Sequence, residues 1–167
     1  ESYQLLASAL GRLAESDWRL TIVGDGPARA RVEALFAPFG PRVRFAGAAG
    51  TEALARHYRE ADLLAWPGVG EAYGMVYLEA QAAGAVPVAL DGPGPSSVIR
   101  HGHTGCLTAQ SGEAYAAALA RLMMHTDQRI AMAKAATAEI RDTRDLDRAA
   151  ERLDRCLAAV RANRRAA

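Results

Sequence analysis

The segment "GEAYGMVYLEA", residues 70–80, sets two carboxylates, Glu71 and Glu79, on either side of a glycine, Gly74. A carboxylate only accepts hydrogen bonds and can take two at once, which suits a vicinal diol or the hydroxyls of a sugar. The apolar run after Gly74 reads as a helix that stops at Gly84, a residue suited to a helix C-terminus. At its start the backbone N–H groups of Gly74, Met75 and Val76 lack helical partners, and the positive end of the helix dipole stands behind them. Such a cluster of amides fits an anion, a diphosphate in particular. Glu79 lies roughly 7.5 Å along the helix axis, shares a face with Val76, and leans back toward the N-terminus. Glu71, still in the loop, faces the anion from the other side. Singly, Glu79 is accounted for as an acid favouring the helix dipole, and Glu71 as an exposed loop acid. The glycine loop, the strand before it and the apolar helix after it favour the joint reading.

A second glycine loop, "GDGP", begins at Gly24. Gly24 and Gly26 allow close backbone approach or positive φ, which suits a phosphate or a sugar; a tight strand-to-helix turn is the plainer alternative. Arg29 stands where a dinucleotide fingerprint needs its third glycine, so a nicotinamide site is disfavoured. His101 and His103 share a turn with no third ligand in sight, which argues against a metal. His57 reads as a surface or interface residue, Met123 and Met124 as helix packing, and Trp66 either as core or as crevice wall.

These residues need elements to position them. Apolar spacing predicts helices over 2–14, 27–36 (with Pro27 in the first turn), 51–60, 74–83, 111–124, 127–140 and 145–162. Short apolar runs predict strands at 18–23, 43–45, 62–66, 86–90 and 105–108. Strand and helix alternate with tight links, which predicts an α/β fold: a Rossmann-like parallel sheet with helices on both faces. In such sheets ligands bind beyond the carboxyl ends of the strands, where Gly24, Gly26, Glu71 and Gly74 all fall.

The 167 residues suit one domain. Twenty Lys and Arg against nineteen Asp and Glu leave a charge of +1, which argues against a nucleic-acid partner or a polybasic membrane surface. The basic end "RANRRAA" reads as a solvated helix terminus. Cys106 and Cys156 have no ligand spacing and read as two ordinary thiols of a reduced, cytoplasmic protein. No apolar run is long enough to cross a bilayer. The chain opens with Glu1 inside a helical pattern, so it is expected to be a piece of a longer protein.

"GEAYGMVYLEA" resembles the E-x7-E signature of retaining, nucleotide-sugar-dependent glycosyltransferases of the GT-B fold, family 4, also called group 1. "LTIVGDGPARARVEAL", "RVRFAG", "HYREADLLAWPGVGEAYGMVYLEAQAAGAVPVAL" and "VIRHGHTGCLT" resemble further blocks of that family in the same order, over about residues 5–125. The resemblance implies the C-terminal, donor-binding domain of such an enzyme, with a nucleoside diphosphate sugar as donor and neither cofactor nor metal. It implies that Glu71 positions the donor sugar, Glu79 holds the ribose hydroxyls, and backbone around Tyr73–Val76 meets the diphosphate. The base is expected beside Gly47 and Ala48.

The sequence also departs from the pattern. The usual Gly-Phe-Gly is Ala72-Tyr73-Gly74, and Ser97 stands where a carboxylate is expected in the following loop. In the family an arginine and a lysine that bind the diphosphate lie on the first strand's loop and at the start of the next helix. An ungapped match puts Glu1 near the lysine's place. The first strand and the N-terminal acceptor domain are therefore expected upstream, and any association with a membrane surface is expected through that domain. A non-catalytic module of the same fold, or a sugar-nucleotide epimerase, are the alternative readings.

Overall fold

The computed structural model describes residues 1–144 and 146–166. Its strands are β1 (Leu20–Val23), β2 (Val43–Gly47), β3 (Leu63–Ala65), β4 (Val86–Leu90) and β5 (Cys106–Thr108). Its helices are α1 (Ser2–Gly11), α2 (Arg29–Phe36), α3 (Thr51–Glu60), α4 (Met75–Ala83), α5 (Pro93–Val98), α6 (Gly112–Met124), α7 (Thr126–Thr143) and α8 (Leu146–Ala166), with a 3₁₀ turn at Ala37–Arg42. Residue 145, the expected start of the last helix, and residue 167, the end of the basic terminus, lie outside the described residues.

All strand pairings are parallel, as the alternating pattern predicts, but the strands fall into two sheets. β1 pairs with β2, Leu20 opposite Val43, while β3, β4 and β5 pair in that order, with Leu63 opposite Val86 and Val88 opposite Cys106. Among the described residues no strand bridges β1 and β3. The expected α/β class with parallel strands holds, with the strands divided between two sheets rather than joined in one. The division leaves a visible mismatch in β3. Its residues are apolar on both faces, the pattern of a central strand, yet all of them are only half-buried, whereas every residue of β4 is buried.

The period of two along the strands explains how helices cover both faces. Leu63, Ala65, Val86, Val88, Leu90 and Cys106 point into one core, which α1 supplies with Leu6 and Leu10 and α6 with Tyr115, Leu119 and Leu122. The intervening residues Leu64, Ala89 and Leu107 point the other way, onto Tyr77 of α4 and Val98 of α5. Ile22, Val43 and Phe45 from the other sheet join the first core with Val32 and Phe36 of α2, so one core serves both sheets.

The connection from α1 to β1 is fastened by Arg42. Its guanidinium donates to Ala14 O at 2.7 Å, to Trp18 O at 3.3 Å and to Ser16 O, and lies 3.9 Å from the Trp18 ring centroid. Trp18 in turn donates from Nε1 to Leu13 O at 2.9 Å. An arginine fork can satisfy several carbonyls at once and stack on an aromatic face, so a polar turn is held without regular structure.

Several boundaries differ from the sequence expectations for local reasons. The first helix ends at Gly11 rather than at residue 14. α2 starts at Arg29, two residues after Pro27, because Pro27 and Ala28 sit in a separate turn closed by Arg29 N donating to Gly26 O at 3.0 Å. α5 falls where only a loop was expected.

Candidate active site

The loop between β3 and α4 is built on glycines that only glycine could supply. Gly74 has φ +95° and ψ +47°, the left-handed region that other residues avoid. A Cβ there would run into the Tyr77 ring, and one at Gly68 would meet the Tyr77 hydroxyl. Tyr77 is fully buried, and its hydroxyl donates to Trp66 O at 3.2 Å. The ring therefore acts as a post around which the chain turns from β3 into α4, with Gly74 buried at the helix start. Trp66 itself packs edge-on to Tyr3 of α1, with ring centroids 5.2 Å apart, so its role is packing.

Glu71 sits half-buried in that loop. Its amide donates to Gly68 O at 3.0 Å, and its carbonyl lies against Gly94 so closely that a Cβ at residue 94 would overlap it. Burial raises the pKa of Tyr77, and the nearby Glu71 carboxylate raises it further, so this phenol stays protonated and remains a donor. α5 is thus the floor under Glu71. It is fixed from below by the buried Gln81, whose Nε2 donates to Val98 O at 3.0 Å and to Tyr77 O at 3.2 Å.

Ser97, at the position where the resemblance leads one to expect a carboxylate, donates its hydroxyl to Gly94 O at 2.7 Å, and Ser96 donates to Gly92 O at 2.6 Å. Both hydroxyls are satisfied by carbonyls of the same helix or of the residue just before it. Arg144, at the end of α7, donates to Ser97 O and to the Tyr73 hydroxyl, each at 3.3 Å. Tyr73 and Met75 are exposed at the mouth of the loop.

Glu79 is exposed on α4, and one of its oxygens, Oε2, accepts from the Tyr58 hydroxyl of α3 at 3.0 Å. Burial, then the bond to Glu79, pushes the Tyr58 phenol well above its ordinary pKa.

The second cluster lies at the ends of β1 and β2. Gly24 N donates to Gly47 O at 2.8 Å, which joins the "GDGP" loop to the Gly47–Ala48 loop. Arg29 bridges Asp25 at 3.0 Å and Glu33 at 2.8 Å. The Gly26 amide and the Arg29 guanidinium hold the Asp25 carboxyl below its usual range. These are surface pairs, worth little in stability.

The structure therefore brings Gly24 and Gly47 into direct contact, and it gathers Glu71 and Gly74 around Tyr77. Since the strands within each sheet are parallel, each cluster lies at its sheet's carboxyl end. Tyr58 and Arg144 touch Glu79 and Tyr73 and carried no signal in the sequence, because each contact joins different elements far apart in the chain. Among the described residues no group of three or more His, Cys, Asp or Glu is placed to hold a metal, and no helix is long and apolar enough to cross a membrane. His101 has a structural job: its Nδ1 accepts from Leu107 N at 3.0 Å.

Parallel α/β sheets, a glycine turn feeding a helix start, and carboxylates beyond the strand ends define a domain of the doubly wound type, in which ligands bind at the carboxyl edge. The chain belongs to the family described as "Glycosyl transferases group 1", which it matches over residues 1–125. It is 41% identical over 93 residues to a D-inositol 3-phosphate glycosyltransferase of Corynebacterium urealyticum, covering 55% of this chain and 22% of that one. It is 34% identical over 126 residues to a GDP-mannose-dependent alpha-(1-6)-phosphatidylinositol monomannoside mannosyltransferase of Mycobacterium tuberculosis, covering 70% of this chain and 33% of that one. A sucrose-phosphate synthase from Thermosynechococcus elongatus has the same fold, with a TM-score of 0.85 at 24% identity over 97% of this chain and 43% of that one. The chain thus spans a third or less of these two curated relatives, and the architecture is that of one half of a GT-B glycosyltransferase.

Proposed function

We propose that this chain is the donor-binding half of a retaining glycosyltransferase that uses a nucleoside diphosphate sugar. The observation that carries the reading is the pair Glu71 and Glu79 on either side of the left-handed Gly74 at the start of α4, in a member of this family. Glu79 accepts from the ribose diol, the amides at Gly74, Met75 and Val76 meet the diphosphate, and Glu71 accepts from the donor sugar. The base lies beside Gly47 and Ala48, and Gly24 and Gly26 let backbone approach the ligand closely. As the anomeric C–O bond breaks, negative charge grows on the departing diphosphate, where fixed amides and the positive end of α4 stabilise it without a metal. The acceptor hydroxyl arrives on the same face, from a second domain of the longer protein.

The division of the sheet supports that setting. A doubly wound sheet has the strand order 3-2-1-4-5-6. Without its first strand it separates into a pair and a triplet, which is the arrangement of β2-β1 and β3-β4-β5. The missing strand would run between β1 and β3 and would satisfy the apolar, half-buried β3. The amide of Val69 donates to Ser2 Oγ at 3.0 Å, so the chain just before α1 lies beside the loop that follows β3, where such a strand would end. The satisfied Ser97 hydroxyl favours a second reading, a module of this fold without catalysis.

The test is a screen of UDP-, GDP- and ADP-sugars against the full-length protein, followed by calorimetry on Glu79→Gln. An amide is a weaker acceptor than a carboxylate, and the loss of donor affinity is expected at about 1.5–3 kcal/mol. Unchanged affinity in a folded variant removes Glu79 from the site.

A further inference from the structure

The carboxylate of Glu79 does not stand alone, although it lies on an exposed helix face. The Tyr58 hydroxyl donates to Oε2 at 3.0 Å from a different helix, and among the described residues no protein donor reaches Oε1. We infer that Tyr58 is a positioning residue, which fixes the Glu79 carboxylate so that its free oxygen and remaining lone pairs face the ribose diol of a bound nucleotide; this rests on the donor-binding reading above.

The chemistry of the pair fits that role. A glutamate side chain has three rotatable bonds, and holding it for a ligand costs rotamer entropy that a prior hydrogen bond has already met. A phenol has one hydrogen to give, so it occupies one site of the carboxylate and leaves the others open. Tyr58 is half-buried and only its tip reaches Glu79, so it anchors the acid from the α3 side without covering it. Burial also keeps this phenol protonated, so it remains a donor. The placement of α3 adds a further link. The helix follows β2 and the Gly47–Ala48 loop, so one element spans from the proposed base site to the proposed ribose contact.

The contact is specific in what it predicts. Tyr58→Phe deletes one oxygen and keeps the ring in its packing. Its effect should fall on the ribose hydroxyls and on nothing else in the ligand. Binding of ADP, GDP and UDP to the full-length protein is compared with binding of their 2′,3′-dideoxy counterparts. Wild type is expected to prefer the ribonucleotide. Tyr58→Phe is expected to weaken ribonucleotide binding about two- to tenfold, from the cost of immobilising one long side chain, and to leave dideoxynucleotide binding unchanged. In a Glu79→Gln background the same change should add little, since the coupling between the two residues is already broken.

The outcomes separate the two ideas. If wild type binds ribo- and dideoxynucleotides alike, the ribose reading of Glu79 fails and the role of Tyr58 fails with it, and binding of none of the three bases overturns the donor-binding reading on which both rest. If wild type prefers ribose and Tyr58→Phe keeps that full preference, only the positioning role fails. Equal losses toward both ligands mean that Tyr58 supports the fold and does not position Glu79. Should Tyr58→Phe fold poorly, Tyr58→His, which restores a donor on a flat ring, is compared with Tyr58→Leu, which does not. Recovery of the ribose preference by histidine alone supports the assignment, and equal behaviour of the two overturns it.

Discussion

Replacing Gly74 by alanine combines two costs that a second glycine separates. The residue has φ +95°, where an L-residue is strained, at about 1–2 kcal/mol. The new methyl also lands on the Tyr77 ring, which is fully buried and tied by its hydroxyl to Trp66 O. Moving a packed ring costs about 1–3 kcal/mol, so the sum for Gly74→Ala is about 2–5 kcal/mol. Gly70, in the same loop, has φ +73° but open space where its Cβ would stand. Gly70→Ala should therefore cost only the strain, about 1–2 kcal/mol. Urea unfolding of both variants in the full-length protein measures the difference at constant m. Because domains are stable by only about 5–15 kcal/mol, Gly74→Ala should remove a substantial share of the stability. Equal costs for the two variants would refute the account of Tyr77 as the post of this turn.

Gln81→Leu should cost about 1–3 kcal/mol, because Val98 O loses its donor inside the protein; faster amide exchange in α5 reports it, and unchanged stability contradicts it. Burial is the leading cause that raises the pKa of Tyr3, Tyr58, Tyr77 and Tyr115. Their folded values lie above the unfolded value, so the stability they contribute is whole below about pH 10 and is lost as pH rises further. Phenolate absorbance should then rise together with unfolding, and full ionisation with native circular dichroism would refute this. Stripping the full-length enzyme with EDTA should leave turnover intact, and recovery that requires added Mn²⁺ would overturn the metal-free reading.

Much of this could be read from sequence, and the limits have physical causes. The run "VPVAL" is apolar at every position and forms β4, buried throughout. "TEALARHYRE" has clear helical spacing and forms α3 over the expected residues. α5 was illegible because "PGPSSV" combines two prolines, a glycine and two serines, all poor helix formers. It is helical because Gln81 caps its end from a neighbouring helix and Val98 is buried. Intrinsic propensity was overruled by tertiary contacts. The residues at the site follow the same division. Glu71, Gly74 and Glu79 share one segment and could be read together, whereas Tyr58 meets Glu79 across 21 positions of chain and two helices. The separation of the sheets was equally hidden, since every strand run looks locally complete.

In residues 1–167 that separation leaves a seam, which the strand proposed to lie between β1 and β3 would fill in the longer protein. Among the described residues β1–β2 and β3–β4–β5 exchange no strand hydrogen bonds and are held together by helices and side-chain packing. Directional backbone bonding confers local cooperativity, and where it is interrupted the two sides become candidates for separate opening. The β1–β2 side carries Gly24 and Gly47, and the β3–β4–β5 side carries Glu71, Gly74 and Glu79. A molecule anchored at both ends crosses the seam, so its occupancy restrains the opening of one side against the other. In a chain of residues 1–167, exchange of the β1 and β2 amides should slow when ligand binds at Gly74, although none of those amides touches the diphosphate; in the longer protein, where the proposed strand joins the sheets, the effect should shrink. Recognition and rigidity then become one event, measured on strands across the seam from Glu71 and Gly74.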